Sequence, residues 1–240
     1  MSRLVRARRA ALPAIVLLAS ITLLFASSAV AQQPTVSLAV PSSKSDRSVI
    51  LISVDGLRPD AIQVFQAATM RNLIDEGSYT LNASTILPSK TLPSHASMLT
   101  GELPERHGVL WNNEQIFSDG ELQSPTIFSV LRSSGFKTAA FFSKSKFDDF
   151  QVPGTVDYTQ APDGWLGGLI PGRWDADRTA SDAMKYMKRA RPDFMFVHFG
   201  DVDYAGHRSG WMSEKYGKAV KKVDASIAQL LTAAKETYDD

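Results

Sequence analysis

Val49-Ile-Leu-Ile-Ser-Val54 is an almost wholly apolar run that ends at Asp55-Gly56. Such a run, without polar alternation, is typical of a parallel strand that is buried on both faces. In open parallel sheets, ligands bind outside the carboxyl ends of the strands. The sequence therefore predicts that Asp55 lies at a functional edge. The structural alternative is that Asp55 caps a helix that begins near Pro59.

A second buried-strand pattern, Asp193-Phe-Met-Phe-Val-His-Phe199, runs into Gly200-Asp201-Val-Asp203-Tyr-Ala-Gly206-His207. Here Asp203 and His207 place a carboxylate and an imidazole four residues apart in the loop expected after the strand. One such pair is a weak metal signal, because Asp and His residues of loops are usually just solvated. It is less expected by chance that candidate ligands follow two predicted strands, Asp55 after the first and the Asp203/His207 pair after the second.

The segment Thr91-Leu-Pro-Ser-His-Ala-Ser-Met-Leu-Thr-Gly101 sets a hydroxyl where a helix begins. Pro93 suits the first turn, so free backbone N–H groups and the positive end of the helix dipole would lie beside Thr91. An anion or a developing alkoxide would be stabilised there. The alternative is that Thr91 is merely an N-cap, because Thr is a preferred capping residue.

Strand-like and helix-like segments alternate from residue 49 onward. This alternation predicts an α/β fold with a mostly parallel sheet and helices on both faces. The predicted strands are 49–54, near 78–84, 137–143 and 193–199, and the predicted helices are about 60–76, 93–100, 125–134, 176–190 and 213–236.

The N-terminal residues predict export. Met1–Arg9 carries four arginines, an apolar run follows, and Ala29-Val-Ala31 matches an A-x-A cleavage site. We therefore expect a signal peptide over 1–31, a disordered lead over 32–48 and the N-terminal part of a catalytic domain over 49–240. We also expect a secreted or periplasmic protein without a stable membrane span after cleavage. A membrane anchor is the alternative, since an apolar run near twenty residues can cross a bilayer.

The composition argues against disulfide bonds and against nucleic-acid partners. The chain has no cysteine and a formal charge of +1, so disulfides cannot stabilise it. Nucleic-acid binding has no electrostatic support, because no run of like charges follows the signal peptide. The sequence leaves the oligomeric state open.

Over roughly residues 48–235 these segments resemble the alkaline phosphatase superfamily, in its type I phosphodiesterase/nucleotide pyrophosphatase branch. Ser53-Val-Asp-Gly-Leu-Arg-Pro-Asp60 resembles the first metal-ligand strand, and Thr91 falls on the nucleophile. Gly101-Glu-Leu-Pro-Glu-Arg-His-Gly-Val-Leu-Trp-Asn112 resembles the segment whose closing Asn binds a phosphoryl oxygen. The sulfatase signature is also similar, but sulfatases need a Cys or Ser where this chain has Thr91.

The resemblance implies an alkaline-phosphatase-like fold. It also implies a metal-dependent hydrolase of phosphodiesters or nucleotide pyrophosphates that forms a phosphothreonine on Thr91. Two divalent metal ions, expected to be zinc, would be held by Asp55 with Thr91 and by Asp203 with His207. The substrate would be a small phosphoester or a nucleotide. Hydrolysis of phosphomonoesters is the alternative chemistry.

In the family, the helix that 213–235 resembles is followed by a strand, an Asp-His-Gly motif and a further His. The 240 residues do not contain these three ligands, so the resemblance predicts incomplete metal sites with weak zinc binding and a bare sheet flank prone to aggregate. A truncated, non-catalytic remnant is the alternative function. An in-frame continuation of the coding DNA beyond codon 240 would indicate a fragment of an enzyme.

Other polar residues have structural interpretations. His107 is expected to order its turn, His95 to brace the Thr91 loop, and His198 to be a satisfied histidine of the core or sheet surface. Asp224 is expected to be a solvated charge. The Gly-bearing stretch 165–174 is a candidate cover for the site, since long loops are often functional.

Overall fold

The computed structural model describes residues 48–113, 122, 124–150, 154–164 and 170–239. The chain divides into two units, Met1–Ala39 and Val40–Asp240, and every described residue belongs to the second. The predicted signal peptide over 1–31 and nearly all of the predicted lead lie outside the described residues. Among the described helices, none is both long enough and apolar enough to cross a membrane.

Four strands form one parallel sheet in the spatial order β1-β4-β2-β3. The predicted parallel sheet is confirmed, and three of its strands lie where the apolar runs indicated. The three-residue strand β3 was not predicted, because so short a segment shows no periodicity. The strands are β1 Val49–Val54, β2 Thr138–Phe141, β3 Tyr158–Gln160 and β4 Phe194–Phe199.

Eight α-helices and one 3-10 turn accompany the strands within the described residues. They are α1 Pro59–Val64, α2 Ala68–Glu76, α3 Thr91–Thr100, α4 Pro104–His107, α5 Ile127–Ser133, α6 Ala176–Ala190, α7 Asp201–Ser209 and α8 Glu214–Tyr238, with the 3-10 turn at Ser145–Phe150.

Side chains alternate between the two faces of the sheet and build two apolar cores. Ala139 and Phe141 of β2 join the core made with α6 and α8, whereas Ala140 of β2 and Phe142, which directly follows it, join the core made with α3 and α5. This is the pattern of strands buried on both sides. The expectation of helices on both faces is therefore confirmed.

Two element predictions are wrong. The segment near 78–84 is not a strand but irregular backbone with a bend at Leu81, and the Asn82 N–H donates to Thr80 Oγ1 at 3.2 Å. Such local side-chain bonds compete with strand pairing. The single helix predicted over 60–76 is two helices, because Gln66 has a left-handed backbone with φ 55°, which a right-handed helix cannot continue.

Asp224 was also predicted wrongly. It is buried rather than solvated, and its carboxylate accepts the N–H groups of Thr69 and Met70 at 3.1 and 2.9 Å. Those two residues lie in the first turn of α2, whose own N-cap residue, Ala67, has no capping side chain. Asp224 on α8 therefore supplies the cap of α2 from 154 residues away.

Candidate active site

The carboxyl ends of β1 and β4 bring Asp55 and Asp203 together. The two strands are neighbours in the sheet, Asp55 directly follows β1, and Asp203 lies in the first turn of the helix that follows β4. Gly56 permits this approach: its φ is 72°, and a Cβ there would lie 2.5 Å from the Asp203 Cα. The residues after β4, predicted as a loop, are helix α7.

Thr91 contacts Asp55 directly. Its Oγ1 donates a hydrogen bond to Asp55 Oδ2 at 3.2 Å. Thr91 is the first residue of α3, and the N-cap position belongs to Lys90. The capping alternative for Thr91 is thus wrong. The alternative for Asp55 is wrong too, because Arg58 is the N-cap residue of α1 and no side chain caps that helix.

Lys144 lies between the two carboxylates. Its Nζ is 2.6 Å from Asp55 Oδ2 and 2.7 Å from Asp203 Oδ2, and only 13 to 17% of each of the three side chains is exposed. Sequence reasoning missed Lys144. It follows β2 in the chain, so the rule that drew attention to Asp55, a polar residue at the carboxyl end of a buried strand, would have found it.

His207 lies one helical turn after Asp203 on α7, on the same face. Its Nε2 is 3.3 Å from Asp203 Oδ1, and 70% of the side chain is exposed. The ring meets Trp211 edge-on with centroids 4.8 Å apart, and the Trp211 indole N–H donates to the Gly56 carbonyl at 3.3 Å. The imidazole therefore lies at the open side of the carboxylate pair.

The Asn112 side chain contacts the first turn of α3 from a later segment of the chain. Its Oδ1 accepts the Leu92 N–H at 3.1 Å and lies 3.3 Å from Lys146 Nζ. The Leu92 N–H is therefore not free for an anion, contrary to expectation. Burial, together with the positive charge of Lys144, lowers the pKa of Lys146 to about 8. Lys146 was also missed from sequence.

Two histidines have the structural roles that the sequence predicted. His95 braces Thr91, with Nδ1 2.7 Å from the Thr91 carbonyl oxygen and Nε2 2.8 Å from Ser53 Oγ. His107 orders its turn, since its Nδ1 accepts the Val109 N–H at 3.1 Å. Both are buried.

His198 satisfies its prediction only in part. It is fully buried, and its Nδ1 lies 3.0 Å from Ser143 Oγ. Its Nε2 is 3.6 Å from Asp55 Oδ2 and has no hydrogen-bond partner among the described residues. Burial lowers the pKa of His198 to about 3, so the imidazole is neutral.

The surroundings of Asp55 keep it ionised. Burial alone would raise the pKa of this carboxyl, but the neighbouring His198 imidazole and the Lys144 ammonium together hold it well below its usual range. Asp55 is therefore a full negative charge at neutral pH in a largely buried place. Such a place favours a cation.

The expected metal ions can be tested against the donors present. Within the described ranges, no group of three or more His, Cys, Asp or Glu side chains is close enough together to hold an ion. The donors that do meet are nevertheless of the kinds that zinc takes, namely carboxylate oxygen and imidazole nitrogen. The Lys144 ammonium also shows that a positive charge fits between the two carboxylates.

The predicted cover of the site is only partly described. Residues 165–169 lie outside the described residues. Arg173 stacks over the Tyr204 ring at 3.5 Å, next to Asp203 in the chain. One end of this stretch therefore does reach the residues beside the carboxylates.

Residues 49–239 match the family model described as type I phosphodiesterase / nucleotide pyrophosphatase. The chain belongs to this family. A phosphodiesterase-family relative, human ectonucleotide pyrophosphatase/phosphodiesterase family member 1, is 24% identical over 214 residues, which cover 82% of this chain and 22% of the relative. The chain thus spans about a quarter of the length of the curated relatives that it matches.

Two solved structures of similar proteins share the fold. The inactive variant of murine ectonucleotide pyrophosphatase/phosphodiesterase 5 in complex with AMP superposes with a TM-score of 0.64 at 17% identity, over 80% of this chain and 53% of that one. An alkaline phosphatase superfamily protein from Vibrio parahaemolyticus gives 0.55 at 14% identity, over 80% and 51%. The predicted alkaline-phosphatase-like fold is confirmed.

Proposed function

We propose that this family member is the core of a metal-dependent hydrolase that cleaves phosphodiesters or nucleotide pyrophosphates through a phosphothreonine on Thr91. The observation that carries the proposal is the Thr91 hydroxyl, which donates to the ionised Asp55 beside a position where a positive charge is held. An alcohol, a carboxylate and a cationic position are what a phosphoryl-transfer nucleophile needs.

The ion-binding residues would be Asp55 with Thr91 and Asp203 with His207. A divalent cation, expected to be zinc, would lower the pKa of a hydroxyl or water held beside it. Lys144 offsets one of the two negative charges of Asp55 and Asp203 by bridging the two carboxylates. A cation bound by these carboxylates would take over that charge, so Lys144 has to release at least one of them.

The chain's own residues supply the remaining steps. The Asp55 carboxylate orients the Thr91 hydroxyl through their hydrogen bond. The Thr91 oxygen would lose its proton to solvent and bond to phosphorus as the bond to the ester oxygen on the opposite side breaks. Water would then cleave the phosphothreonine, release the phosphate product and restore the hydroxyl. The negative charge of the phosphoryl oxygens would be met by the Asn112 amide N–H and by the Lys146 ammonium. Since Asn112 Oδ1 already accepts the Leu92 N–H, its Nδ2 is the end available to donate.

The substrate class is a small phosphoester or a nucleotide. A solved relative of the same fold is described as an inactive threonine-to-alanine variant in complex with AMP, which supports both a threonine-dependent reaction and a nucleotide substrate. Two lysines near the site suit an anionic ligand. A secreted or periplasmic location follows from the sequence pattern of residues 1–31 and belongs to the same proposal.

A second candidate is a protein that binds metal or phosphate without turnover. It is favoured by one observation: the described residues offer only two protein ligands for each expected ion, whereas catalytic zinc usually has three. Hydrolysis of phosphomonoesters remains the alternative reaction.

The assay that separates these candidates uses two chromogenic esters. The purified protein is given bis-p-nitrophenyl phosphate and p-nitrophenyl phosphate, each with added zinc and after exhaustive chelation. Zinc-dependent turnover with preference for the bis-ester supports the proposed function, and preference for the monoester supports the alternative reaction. Turnover that survives chelation would overturn metal dependence, while zinc binding without turnover would favour the binding protein.

A further inference from the structure

His198 is fully buried, the proposed chemistry does not use its ring, and its Nε2 faces Asp55. It lies on β4 opposite Ser53 of β1, on the face of the sheet that packs against α3. The ring is enclosed by His95 and Phe147, with centroid distances of 5.0 and 4.5 Å. It therefore has little freedom to turn away from Asp55.

The hydrogen bonds of His95 identify its tautomer. A backbone carbonyl only accepts, so His95 Nδ1, 2.7 Å from the Thr91 oxygen, carries the proton. Burial lowers the pKa of His95, so the ring is neutral and its Nε2 accepts from the Ser53 hydroxyl. His95 is thus the Nδ1–H tautomer.

The same reasoning gives His198 the opposite tautomer. Its Nε2 faces Asp55 Oδ2 at 3.6 Å, and a carboxylate only accepts. A bare nitrogen lone pair there would face a buried negative charge, whereas an N–H would point at it. The Ser143 hydroxyl can donate to Nδ1 at 3.0 Å, which leaves the proton on Nε2.

We propose that His198 is a positioning residue whose Nε2–H donates toward Asp55 and fixes that carboxylate for the cation and for the Thr91 hydroxyl. Carboxylates that bind metal ions are themselves usually held by such outer hydrogen bonds, and loss of one costs about 10- to 100-fold in metal affinity or activity. The inference rests on the proposed function for its consequence, but the tautomer can be measured without it.

The first measurement is a long-range ¹H–¹⁵N correlation spectrum of the ¹⁵N-labelled, metal-free protein at neutral pH. The chain has four histidines, and the spectrum of His198→Gln identifies the signals of His198 by their loss. We expect a neutral Nε2–H tautomer for His198 and, as an internal reference, the Nδ1–H tautomer for His95. A neutral Nδ1–H form of His198 would overturn the inference.

The second measurement compares His198→Gln with His198→Met in zinc titrations by calorimetry. The Gln amide can place an N–H near the position of the imidazole Nε2, whereas Met is of similar size and offers no donor. We expect zinc affinity to fall about 10- to 100-fold in the Met variant and to stay within a few-fold of wild type in the Gln variant. Equal affinities in both variants would show that His198 only fills space.

Two controls keep the outcomes separate. Circular dichroism shows whether each variant folds; if the Met variant does not, His198→Leu replaces it, because Leu also occupies most of the space and offers no N–H donor. A wild-type protein that binds no zinc would count against the proposed function. The spectrum of the metal-free protein would still decide the tautomer.

Discussion

Asp55 and Asp224 are both shielded carboxylates, yet their partners differ in kind. Asp224 is held by two backbone N–H groups of α2, which cannot leave without unfolding the helix. Asp55 is held by the hydroxyl of Thr91 and the ammonium of Lys144, and it faces the imidazole of His198. Side chains can exchange partners, whereas a helix terminus cannot.

Burial alone therefore does not mark a functional carboxylate. Asp55 differs in its partners. Lys144 carries a positive charge, Thr91 offers a nucleophilic oxygen, and the Nε2 of His198 faces the carboxylate. Asp224 stabilises the packing of α8 against α2, whereas Asp55 is equipped to bind a cation.

The largest expected effect is that of Thr91→Ala on turnover. If Thr91 is the nucleophile, loss of its oxygen should lower kcat at least about a thousandfold, as removal of a nucleophile does elsewhere. Thr91→Ser is the matched control, since it keeps the hydroxyl and should keep measurable activity. The test is bis-ester hydrolysis with zinc, and undiminished turnover of the Ala variant would remove Thr91 from this role.

Lys144→Met should lower the stability of the protein without zinc and raise its affinity for zinc. In the metal-free protein it leaves Asp55 and Asp203 without their cation, and unfolding should become easier by about 3 kcal/mol, the low end for a broken buried ion pair. Zinc should bind more tightly, because it no longer competes with an ammonium. Urea titrations with and without zinc measure both effects. A variant with unchanged stability and weaker zinc binding would contradict this account.

Asp224→Ala should destabilise the protein without touching the site. Loss of the distant cap leaves two N–H groups of α2 unsatisfied, which should cost about 1–2 kcal/mol. Lys221→Ala is the control on the same helix, where an exposed side chain should change stability by less than about 0.5 kcal/mol. Denaturant unfolding measures both variants. A loss of zinc affinity in Asp224→Ala would break the contrast with Asp55.

The smallest effect is a pH dependence of substrate binding from Lys146. Its pKa of about 8 means that the side chain is positive below that pH and neutral above it. The KM for an anionic ester should thus rise a few-fold as pH increases through about 8, because the attraction is lost. Lys146→Arg stays charged and should flatten this change. If KM in Lys146→Arg depends on pH in the same way as in wild type, Lys146 does not contact the substrate.

The sequence predicted the sheet and the acidic residues of the site because both depend on local patterns. Apolar runs predict buried strands, and the residues that follow them lie at the carboxyl edge. Asp55, Thr91 and Asp203 were found in this way. The helix that carries Asp203 and His207 was missed, because Gly200 and two Asp residues look like a loop. Gly200 is instead the N-cap residue of α7, and Asp201 and Asp203 lie in its first turn, where acidic side chains suit the helix dipole.

Other features depend on contacts between distant segments. Asp224 looks solvated in sequence, beside Lys221, and only the packing of α8 on α2 shows that it is a cap. Lys144 follows a buried strand, but only the fold shows that it bridges Asp55 and Asp203 and that Lys146 lies against Asn112. The predicted strand near 78–84 is wrong because its apolar residues Tyr79 and Leu81 are exposed and pair with no strand in the part of the chain that the structure describes.

The most direct test of the central claim, that the Asp55 edge binds a cation and the Asp224 contact does not, is a calorimetric zinc titration of Asp55→Asn and Asp224→Asn beside wild type. Each substitution removes one charge and keeps the size of the side chain. We predict weak but measurable zinc binding in wild type, at least a tenfold loss in Asp55→Asn, and wild-type affinity with lower thermal stability in Asp224→Asn. Equal zinc affinities in the two folded variants would contradict the account.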